Sequence, residues 1–272
     1  DRVAGPSVPG ELIILAARPG MGKTATALSY AIGAAGGGHG VLFVSLEMSS
    51  REIGGRIAAD LCWNPDNPIS YSRIRDGRLS EAEFKRVVEA ESRMMGMPFQ
   101  IVDTGSLAVG RLNRLIRRHK RRMAANGQSL DLVIVDYLQL LNADVRHRSN
   151  YEAVSEISKT LKAMAKDNGV AVMALAQLSR EVEKRPDKRP MPSDLRDSGQ
   201  IEQDADKLIF LLRQEYYHDQ VRPDDNSPKF ADWQNLADEM RGEIEFIVPK
   251  VRNGRSGTAK GQFYGAYQAV RG

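Results

Sequence analysis

The residues with the clearest potential for chemistry lie near the start of the chain. The apolar run Leu12–Ala16 predicts a buried strand, and it is followed by the stretch Ala17-Arg18-Pro19-Gly20-Met21-Gly22-Lys23-Thr24 and a helical pattern. This order matches the phosphate-binding loop GxxxxGK[ST], with alanine at the first glycine position. Gly20 and Gly22 allow the loop to curl, so that backbone N–H groups and the helix N-terminus face an anion. The pattern predicts a nucleoside triphosphate site.

Two side chains of this loop have specific predicted roles toward ATP and Mg²⁺. Lys23 is long enough to reach the β- and γ-phosphates, and the Thr24 hydroxyl can ligate Mg²⁺. Ala17 cannot adopt a positive φ at low cost, so the first turn is expected to use ordinary backbone geometry. The predicted nucleotide-binding residues are Arg18, Pro19, Gly20, Met21, Gly22, Lys23, Thr24 and Ala25.

Polar residues also follow other apolar runs, at the positions where ligands bind in open α/β sheets. Asp136 is predicted to hold Mg²⁺, directly or through water. Glu47 could orient or deprotonate the attacking water, and Gln177 could donate a hydrogen bond to the γ-phosphate. Asp103 occupies a similar position and has no predicted role. The alternative for each residue is a helix cap or a side chain that faces water.

The elements that must position these residues alternate along the chain. Apolar, β-branched runs separated by helical stretches predict an α/β fold with a mostly parallel central sheet flanked by helices. The predicted strands are Leu12–Ala16, Val41–Leu46, Phe99–Val102, Leu132–Val135, Val170–Ala176 and Lys207–Leu212. Helices are predicted over Arg111–Met123 and from a Ser149 cap to Asn168-Gly169.

The last part of the chain has a different pattern. Glu243–Arg252 and Gly257–Val270 flank Asn253-Gly254, which predicts antiparallel C-terminal strands joined by a tight hairpin turn. Residues 214–241 are polar, acidic and contain proline, which indicates a long insertion before that hairpin.

Composition limits the possible classes of protein. The chain has 272 residues, 42% of them hydrophobic and 27% charged, which suits one domain over residues 1–272. No apolar run approaches the roughly 18 residues of a membrane span, so no membrane partner is expected. Cys62 is the only cysteine, which excludes a disulfide within the chain and favours the cytoplasm. The net charge of +4 is too small to establish a nucleic-acid partner.

Five separated motifs resemble the motor domain of bacterial replicative DNA helicases of the DnaB type. In chain order they are the stretch 16–24, Ser45-Leu46-Glu47-Met48, Asp136-Tyr137-Leu138-Gln139-Leu140, the stretch 194–206 (DLRDSGQIEQDAD) and Lys250-Val251-Arg252-Asn253-Gly254. The resemblance implies a RecA-like P-loop ATPase fold and a homohexameric ring with ATP at the subunit interfaces. It also implies ATP-driven movement along single-stranded DNA and unwinding of duplex DNA.

The resemblance also implies roles for individual residues. Glu47 matches the catalytic carboxylate of that family, and Gln177 matches its γ-phosphate sensor. The segment with Arg196, Asp197 and Gly199 matches the one that grips successive DNA phosphates, without base readout. Lys250 and Arg252 match the pair that enters the ATP site of the adjacent subunit; the sequence alone leaves open whether they act on their own site or on a neighbour's.

Two features depart from the resembled family, and one of them is the insertion over residues 214–241, which is longer than the usual connection at that point. The family's N-terminal collar domain and linker helix are absent from residues 1–272; that collar stabilises the ring and docks partners, for which a helicase loader and a primase are candidates. A RecA-like recombinase filament and a KaiC-like ATP-dependent signalling protein are the competing functions, and the stretch 194–206 favours the helicase. For the basic run Arg111–Arg122, a solvated face or a contact between subunits is preferred over DNA binding. Arg146 and Arg148 are further candidates for the ring channel.

Overall fold

A computed structural model describes residues 3–145, 147, 149–195, 199–252 and 254–272 of the chain. The strands are β1 (Leu12–Ala17), β2 (Val41–Ser45), β3 (Phe99–Asp103), β4 (Leu107–Ala108), β5 (Leu132–Asp136), β6 (Leu141–Asn142), β7 (Ala171–Gln177), β8 (Lys207–Leu212), β9 (Glu243–Val251), β10 (Gly257–Tyr264) and β11 (Ala269–Arg271). The helices are α1 (Lys23–Gly36), α2 (Ser50–Leu61), α3 (Tyr71–Arg75), α4 (Glu81–Met95), α5 (Val109–Ala125), α6 (Asn150–Asn168), α7 (Gly199–Asp204), α8 (Gln214–Asp219) and α9 (Phe230–Glu239).

One twisted sheet organises the described part of the chain. Its strands lie in the order β11-β10-β9-β8-β1-β7-β5-β2-β3. The six strands from β8 to β3 are parallel, whereas β9, β10 and β11 are antiparallel to their neighbours. The predicted α/β class, the parallel sheet and the antiparallel C-terminal strands are therefore confirmed.

Helices cover both faces of this sheet, because alternate residues of each buried strand point in opposite directions. In β1, Leu12 and Ile14 pack toward the face covered by α5 and α6. Ile13 and Leu15 pack toward the other face, which α1 and α2 cover. Both sets are at most 2% exposed, so β1 lies at the centre of the core and carries the loop that follows it.

Both predicted helices are present, and their ends lie within two residues of the predicted ends. α5 extends the predicted Arg111–Met123 by two residues at each end, and its arginines face solvent while Leu112 and Ile116 are buried. α6 begins after Ser149, whose side chain accepts a hydrogen bond from Glu152 N–H, and it ends at Gly169 with a left-handed φ of 59°. The basic run thus lies on the exposed face of α5 in the isolated chain.

The C-terminal hairpin differs from its prediction in two ways. Val248 pairs with Gly257, so the connection between β9 and β10 spans more residues than a two-residue Asn-Gly turn. The expected strand Gly257–Val270 is interrupted by a 3₁₀ turn at Gly265–Tyr267, and β11 then returns antiparallel to β10. The end of β9 pairs with β8 instead of β10, since Val251 lies opposite Lys207. The tight turn is therefore wrong, while the antiparallel pairing is correct.

Residues 214–241, the stretch interpreted as an insertion, contain the two helices α8 and α9. His218 and Trp233 stack with ring centroids 5.0 Å apart, and their side chains exchange hydrogen bonds with each other's backbone carbonyls. Tyr217 packs against the hydrophobic core, and Tyr216 contacts the loop that follows β1. The first turn of this segment therefore forms an outer wall of the phosphate-binding loop.

Candidate nucleotide-binding site

A cavity of about 370 Å³ lies at the carboxyl ends of the central parallel strands. Its position follows from the sheet, because the ends of β1, β2, β5 and β7 meet at one edge. The predicted residues that line this cavity are Arg18, Pro19, Gly20, Gly22, Lys23, Thr24, Ala25, Glu47 and Gln177. Most of the residues singled out from the sequence are thus brought together at this one place.

The loop between β1 and α1 has the backbone geometry that its glycines were expected to provide. Gly20 and Gly22 have φ values of +83° and +86°, a region that other residues rarely adopt. A Cβ at Gly20 would lie 2.7 Å from the Tyr216 ring, and one at Gly22 would lie 2.6 Å from the Phe263 ring. Both glycines are therefore required by conformation and by the aromatic rings against the loop, while Ala17 completes β1 in ordinary extended geometry.

The N-terminus of α1 opens into the cavity without an internal partner. Gly22 is the N-cap residue, no side chain caps the helix, and the first turn contains no acidic residue. The first N–H groups of a helix need acceptors, and the helix dipole favours a negative charge there. An anion such as a phosphate group would satisfy these donors.

Lys23, Thr24 and Asp136 form the polar centre of the site. The Thr24 hydroxyl donates to Asp136 Oδ2 at 2.7 Å, and Lys23 Nζ lies 3.8 Å from Asp136 Oδ1. Burial lowers the pKa of the Lys23 ammonium, while the nearby carboxylates of Asp136 and Glu47 oppose that shift. Lys23 Nζ also lies 4.4 Å from the centroid of the Tyr137 ring. The ammonium is therefore held inside the cavity, directed toward carboxylates that a phosphate could replace.

The same centre has the donor set expected of a magnesium site. Asp136 is 1% exposed, and its Oδ1 has no hydrogen-bond partner in the described structure. Mg²⁺ in nucleotide sites is held by one or two protein oxygens together with phosphates and water. Among the described residues no group of three His, Cys, Asp or Glu could hold a metal ion alone. Asp136 and Thr24 therefore suit a cation that arrives with a nucleotide.

Arg18 and Met21 differ from the other loop residues. The Arg18 guanidinium donates to Glu183 Oε1 at 2.8 Å and to the Leu178 carbonyl at 2.7 Å, so it braces the wall of the cavity. The Met21 side chain is 1% exposed and packs in the core beside α1, away from the cavity. Only the backbone of Met21 can face a phosphate, so its predicted role in nucleotide binding is limited to backbone contacts.

Lys250 and Arg252 lie near the amino end of β1, at the end of the sheet opposite the cavity. Val251, between them, pairs with Lys207, and Lys207 pairs with Ile13 near the start of β1. Four residues of β1, or about 13 Å at about 3.3 Å per residue, separate that level from Ala17. Neither residue lines the cavity. This position disfavours a role in the chain's own site.

Both cations of this pair contact the end of α7 in the isolated chain. Lys250 Nζ donates to the carbonyl oxygens of Glu202 and Gln203, and the Arg252 guanidinium donates to Asp206 Oδ1 at 3.3 Å. Burial lowers the pKa of Lys250, and the adjacent charge of Arg252 adds to that shift. The pair is thus held close together on one side of β9.

The predicted DNA-contacting residues are only partly within the described structure. Arg196 and Asp197 lie outside the described residues, as do Arg146 and Arg148. Gly199 is the first residue of α7 and is exposed.

Other cations of the same region have partners within the chain. Arg185 pairs with Asp194 at 2.8 Å, and Arg189 pairs with Glu245 at 2.8 Å. Two 3₁₀ turns, Arg180–Lys184 and Pro192–Asp194, lie in the same region.

Four cavity residues were missed by the sequence analysis. They are Arg56, Tyr137, Phe263 and Gln268. Tyr137 directly follows Asp136 in the sequence. Arg56 lies on α2, whose start carries the capping box Ser49–Glu52. Both residues are therefore close to features that the sequence shows. Phe263 and Gln268 come from the C-terminal strands and had no such feature nearby. Asp103 lies outside the cavity and acts as a helix cap, because it accepts a hydrogen bond from Ser50 N–H at the start of α2.

Comparison with known proteins identifies the family of the chain that carries this site. The family model described as "DnaB-like helicase C terminal domain" matches residues 1–271. The chain belongs to this family. It is 37% identical over 258 residues to "Replicative DNA helicase DnaB" of Rickettsia typhi, covering 91% of this chain and 50% of that protein. The protein of the same name from Geobacillus stearothermophilus is 38% identical over 269 residues, covering 98% and 53% of the two chains.

Solved structures agree with this assignment. The structure titled "The Structure Of A DnaB-Like Replicative Helicase And Its Interactions With Primase" matches with a TM-score of 0.85 and 33% identity, covering 100% of this chain and 61% of that one. A KaiC-like protein from Pyrococcus horikoshii matches with a TM-score of 0.55 and 18% identity, covering 97% and 89%, which shows a shared RecA-like fold. The chain spans about half the length of the curated relatives it matches.

None of the helices that the structure describes is long and apolar enough to cross a membrane.

Proposed function

We propose that this chain is the ATP-hydrolysing motor of a replicative DNA helicase, which moves along single-stranded DNA and unwinds duplex DNA as a homohexameric ring. The observation that carries the proposal is the convergence of an uncapped helix N-terminus, Lys23, Thr24, Glu47 and Gln177 on one cavity in a chain of this family. Asp136 lies directly behind them and accepts a hydrogen bond from Thr24.

Within this site, each residue has a proposed task. The N–H groups at the start of α1 and the Lys23 ammonium would bind the β- and γ-phosphates. Thr24 and Asp136 would hold Mg²⁺, which when bound supplies positive charge to the phosphate oxygens. Glu47 is exposed at the cavity and would orient the attacking water and take up its proton. Gln177 would donate a hydrogen bond to the γ-phosphate.

Two groups are proposed to act beyond the chain's own cavity. Lys250 and Arg252 would stabilise charge on the γ-phosphate bound by an adjacent subunit, as arginine fingers do in related enzymes. Their place at the far edge of the sheet supports action on a neighbour. The segment with Arg196, Asp197 and Gly199 would hold phosphates of single-stranded DNA, which suits a motor that must pass any sequence. A helicase loader and a primase are further proposed partners.

Two other functions of the RecA-like fold compete with this one. A recombinase filament would pair homologous strands, and a KaiC-like signalling protein would hydrolyse ATP without DNA. The similarity to the KaiC-like protein concerns the fold alone, whereas the relatives above 30% identity are replicative helicases. The helicase is therefore favoured.

A forked-duplex strand-displacement assay with ATP and Mg²⁺, run beside native mass measurement, tests the proposal. We expect displacement in one direction by a ring-shaped assembly and none by Lys23→Ala, which removes the phosphate-binding charge. Lys260→Ala is a matched control, because that lysine is exposed on β10 and pairs with Glu243 of β9, away from the cavity. Strand pairing by a filament, or ATP hydrolysis that ignores DNA, would overturn the helicase assignment.

A further inference from the structure

The backbone of Gln177 has a neighbouring strand on only one side. β5 pairs with β7 from Leu132 opposite Ala171 only as far as Val135 opposite Ala174, whereas β7 continues to Gln177. On the other side β1 pairs with β7 to its end, and Leu178 N–H donates to the Ala17 carbonyl at 3.1 Å. In a parallel pair, the N–H and C=O of alternate residues point to the same neighbour. Both groups of Gln177 therefore point toward the space beyond β5.

The side chain of Gln139 fills that space with both kinds of hydrogen bond. Its Oε1 accepts from Gln177 N–H at 3.3 Å, and its Nε2 donates to the Gln177 carbonyl at 3.2 Å. An amide side chain carries one acceptor and two donor hydrogens, so it can substitute for the backbone of a missing strand. Gln139 therefore extends the sheet by one residue at the point where Gln177 faces the nucleotide cavity.

Gln139 is itself held by its neighbours. It lies in the 3₁₀ turn Leu138–Leu140, whose Leu138 is fully buried in the core and whose Leu140 N–H donates to the Tyr137 carbonyl at 3.0 Å. This turn starts two residues after Asp136, which ends β5. The two hydrogen bonds therefore connect the strand that carries the proposed magnesium ligand to the residue proposed to meet the γ-phosphate.

We propose that Gln139 is a positioning residue that holds Gln177 at the distance and orientation needed to recognise a γ-phosphate. This inference rests on the proposed nucleotide site. Without the two hydrogen bonds, the last residue of β7 would be paired on one side only, and its side chain would be free to rotate away from the cavity. Gln139 would thus affect the discrimination between ATP and ADP while leaving the binding of the first two phosphates to the loop after β1.

The test compares the binding of a non-hydrolysable ATP analogue and of ADP, each with Mg²⁺, by calorimetry. We expect Gln139→Ala to weaken binding of the analogue by about tenfold, the loss typical of a hydrogen bond to a charged acceptor, and to change ADP binding by less than about twofold. Gln139→Met, which keeps the length of the side chain without its polar atoms, should do the same. Gln128→Ala, at an exposed position, should change neither affinity.

A double variant makes the test specific to Gln177. If Gln139 acts through Gln177, the variant Gln139→Ala with Gln177→Ala should bind the analogue no more weakly than Gln177→Ala alone. Equal weakening of the analogue and ADP, or additive losses in the double variant, would show that Gln139 only supports the sheet. An unchanged affinity for both nucleotides would remove any role. Failure of the unmodified chain to bind either nucleotide would instead overturn the proposed site.

Discussion

At the scale of single residues, the site combines a buried cation with carboxylates of different exposure. Asp136 is almost fully buried and bonded to Thr24, whereas Glu47 is exposed at the mouth of the cavity. A general base must reach a water molecule and exchange its proton with solvent, so Glu47 suits that task better than Asp136. The two carboxylates are therefore expected to respond differently to substitution.

We expect Glu47→Gln to keep its affinity for ATP and to hydrolyse it at least ~10²-fold more slowly, because the amide cannot take up a proton. Binding is measured with a fluorescent nucleotide, and turnover by phosphate release with single-stranded DNA present. Glu91→Gln, at an exposed position on α4, is the control and should retain normal turnover. Loss of binding with unchanged turnover of the residual complex would assign Glu47 to structure instead of chemistry.

At the scale of elements, an ion pair between the buried Asp60 and the partly exposed Arg271 attaches the last strand to the helices beside the nucleotide cavity. Asp60, 2% exposed on α2, accepts from Arg271 Nη2 at 2.6 Å and from the Ser29 hydroxyl of α1. Ser29 Oγ in turn accepts from Val270 N–H at 3.0 Å. The turn before β11 brings Gln268 into the cavity, where its side chain accepts from Arg56. The ion pair therefore also determines where the C-terminal wall of the cavity lies.

We expect Asp60→Ala to lower the free energy of unfolding by about 2 kcal/mol, since it removes hydrogen bonds to a charged group that is partly exposed. Urea denaturation measures this change, and hydrogen exchange of β11 should rise with it. Asp225→Ala, which removes an exposed partner of Arg222, should change stability by less than about 0.5 kcal/mol. Equal effects of the two variants would contradict the importance of the Asp60–Arg271 pair.

At the scale of the whole molecule, the proposed finger residues and the cavity lie at opposite edges of the sheet. A complete site would then need two copies of the chain, one that supplies the cavity and one that supplies Lys250 and Arg252. In the isolated chain these cations contact carbonyl oxygens of α7 and the Asp206 carboxylate. On assembly they would have to exchange these partners for phosphate oxygens of the neighbour.

Mixing two inactive variants tests this arrangement. Arg252→Ala should bind ATP almost normally and hydrolyse it poorly, because such fingers contribute ~10³–10⁵ in rate in related enzymes. When it is mixed with Lys23→Ala, some interfaces combine an intact cavity with an intact Arg252, so activity should partly return and depend on protein concentration. Each variant alone at the same total concentration is the control. An absence of rescue in a demonstrated assembly would exclude action on a neighbour.

The sequence predicted the parts of the site that depend on short stretches of chain. Strand positions agreed with the structure to within one residue at the ends of β1, β2, β5 and β7. In a parallel sheet these ends meet at one edge, so the side chains that follow them had to come close together. The glycines of the loop could be assigned as well, because positive φ is a local property of the backbone.

The parts that were missed depend on distant segments. Tyr216 and Phe263 contact the loop glycines from about two hundred residues later in the chain, and neither has a motif. The Asn-Gly turn was predicted from its dipeptide, but pairing of β9 with β8 decided where the hairpin connection begins.

The sequence by itself determined the phosphate loop, the polar strand ends and the α/β class, since hydrophobic periodicity and glycine positions act over a few residues. Only the tertiary structure decided that Lys250 and Arg252 lie away from the chain's own cavity, because strand register sets which edge of the sheet a residue reaches. The same holds for Gln139, whose contact with Gln177 exists only because β5 ends before β7 does. Strand pairings and their register arise from packing of the whole sheet, and no short stretch of sequence specifies them.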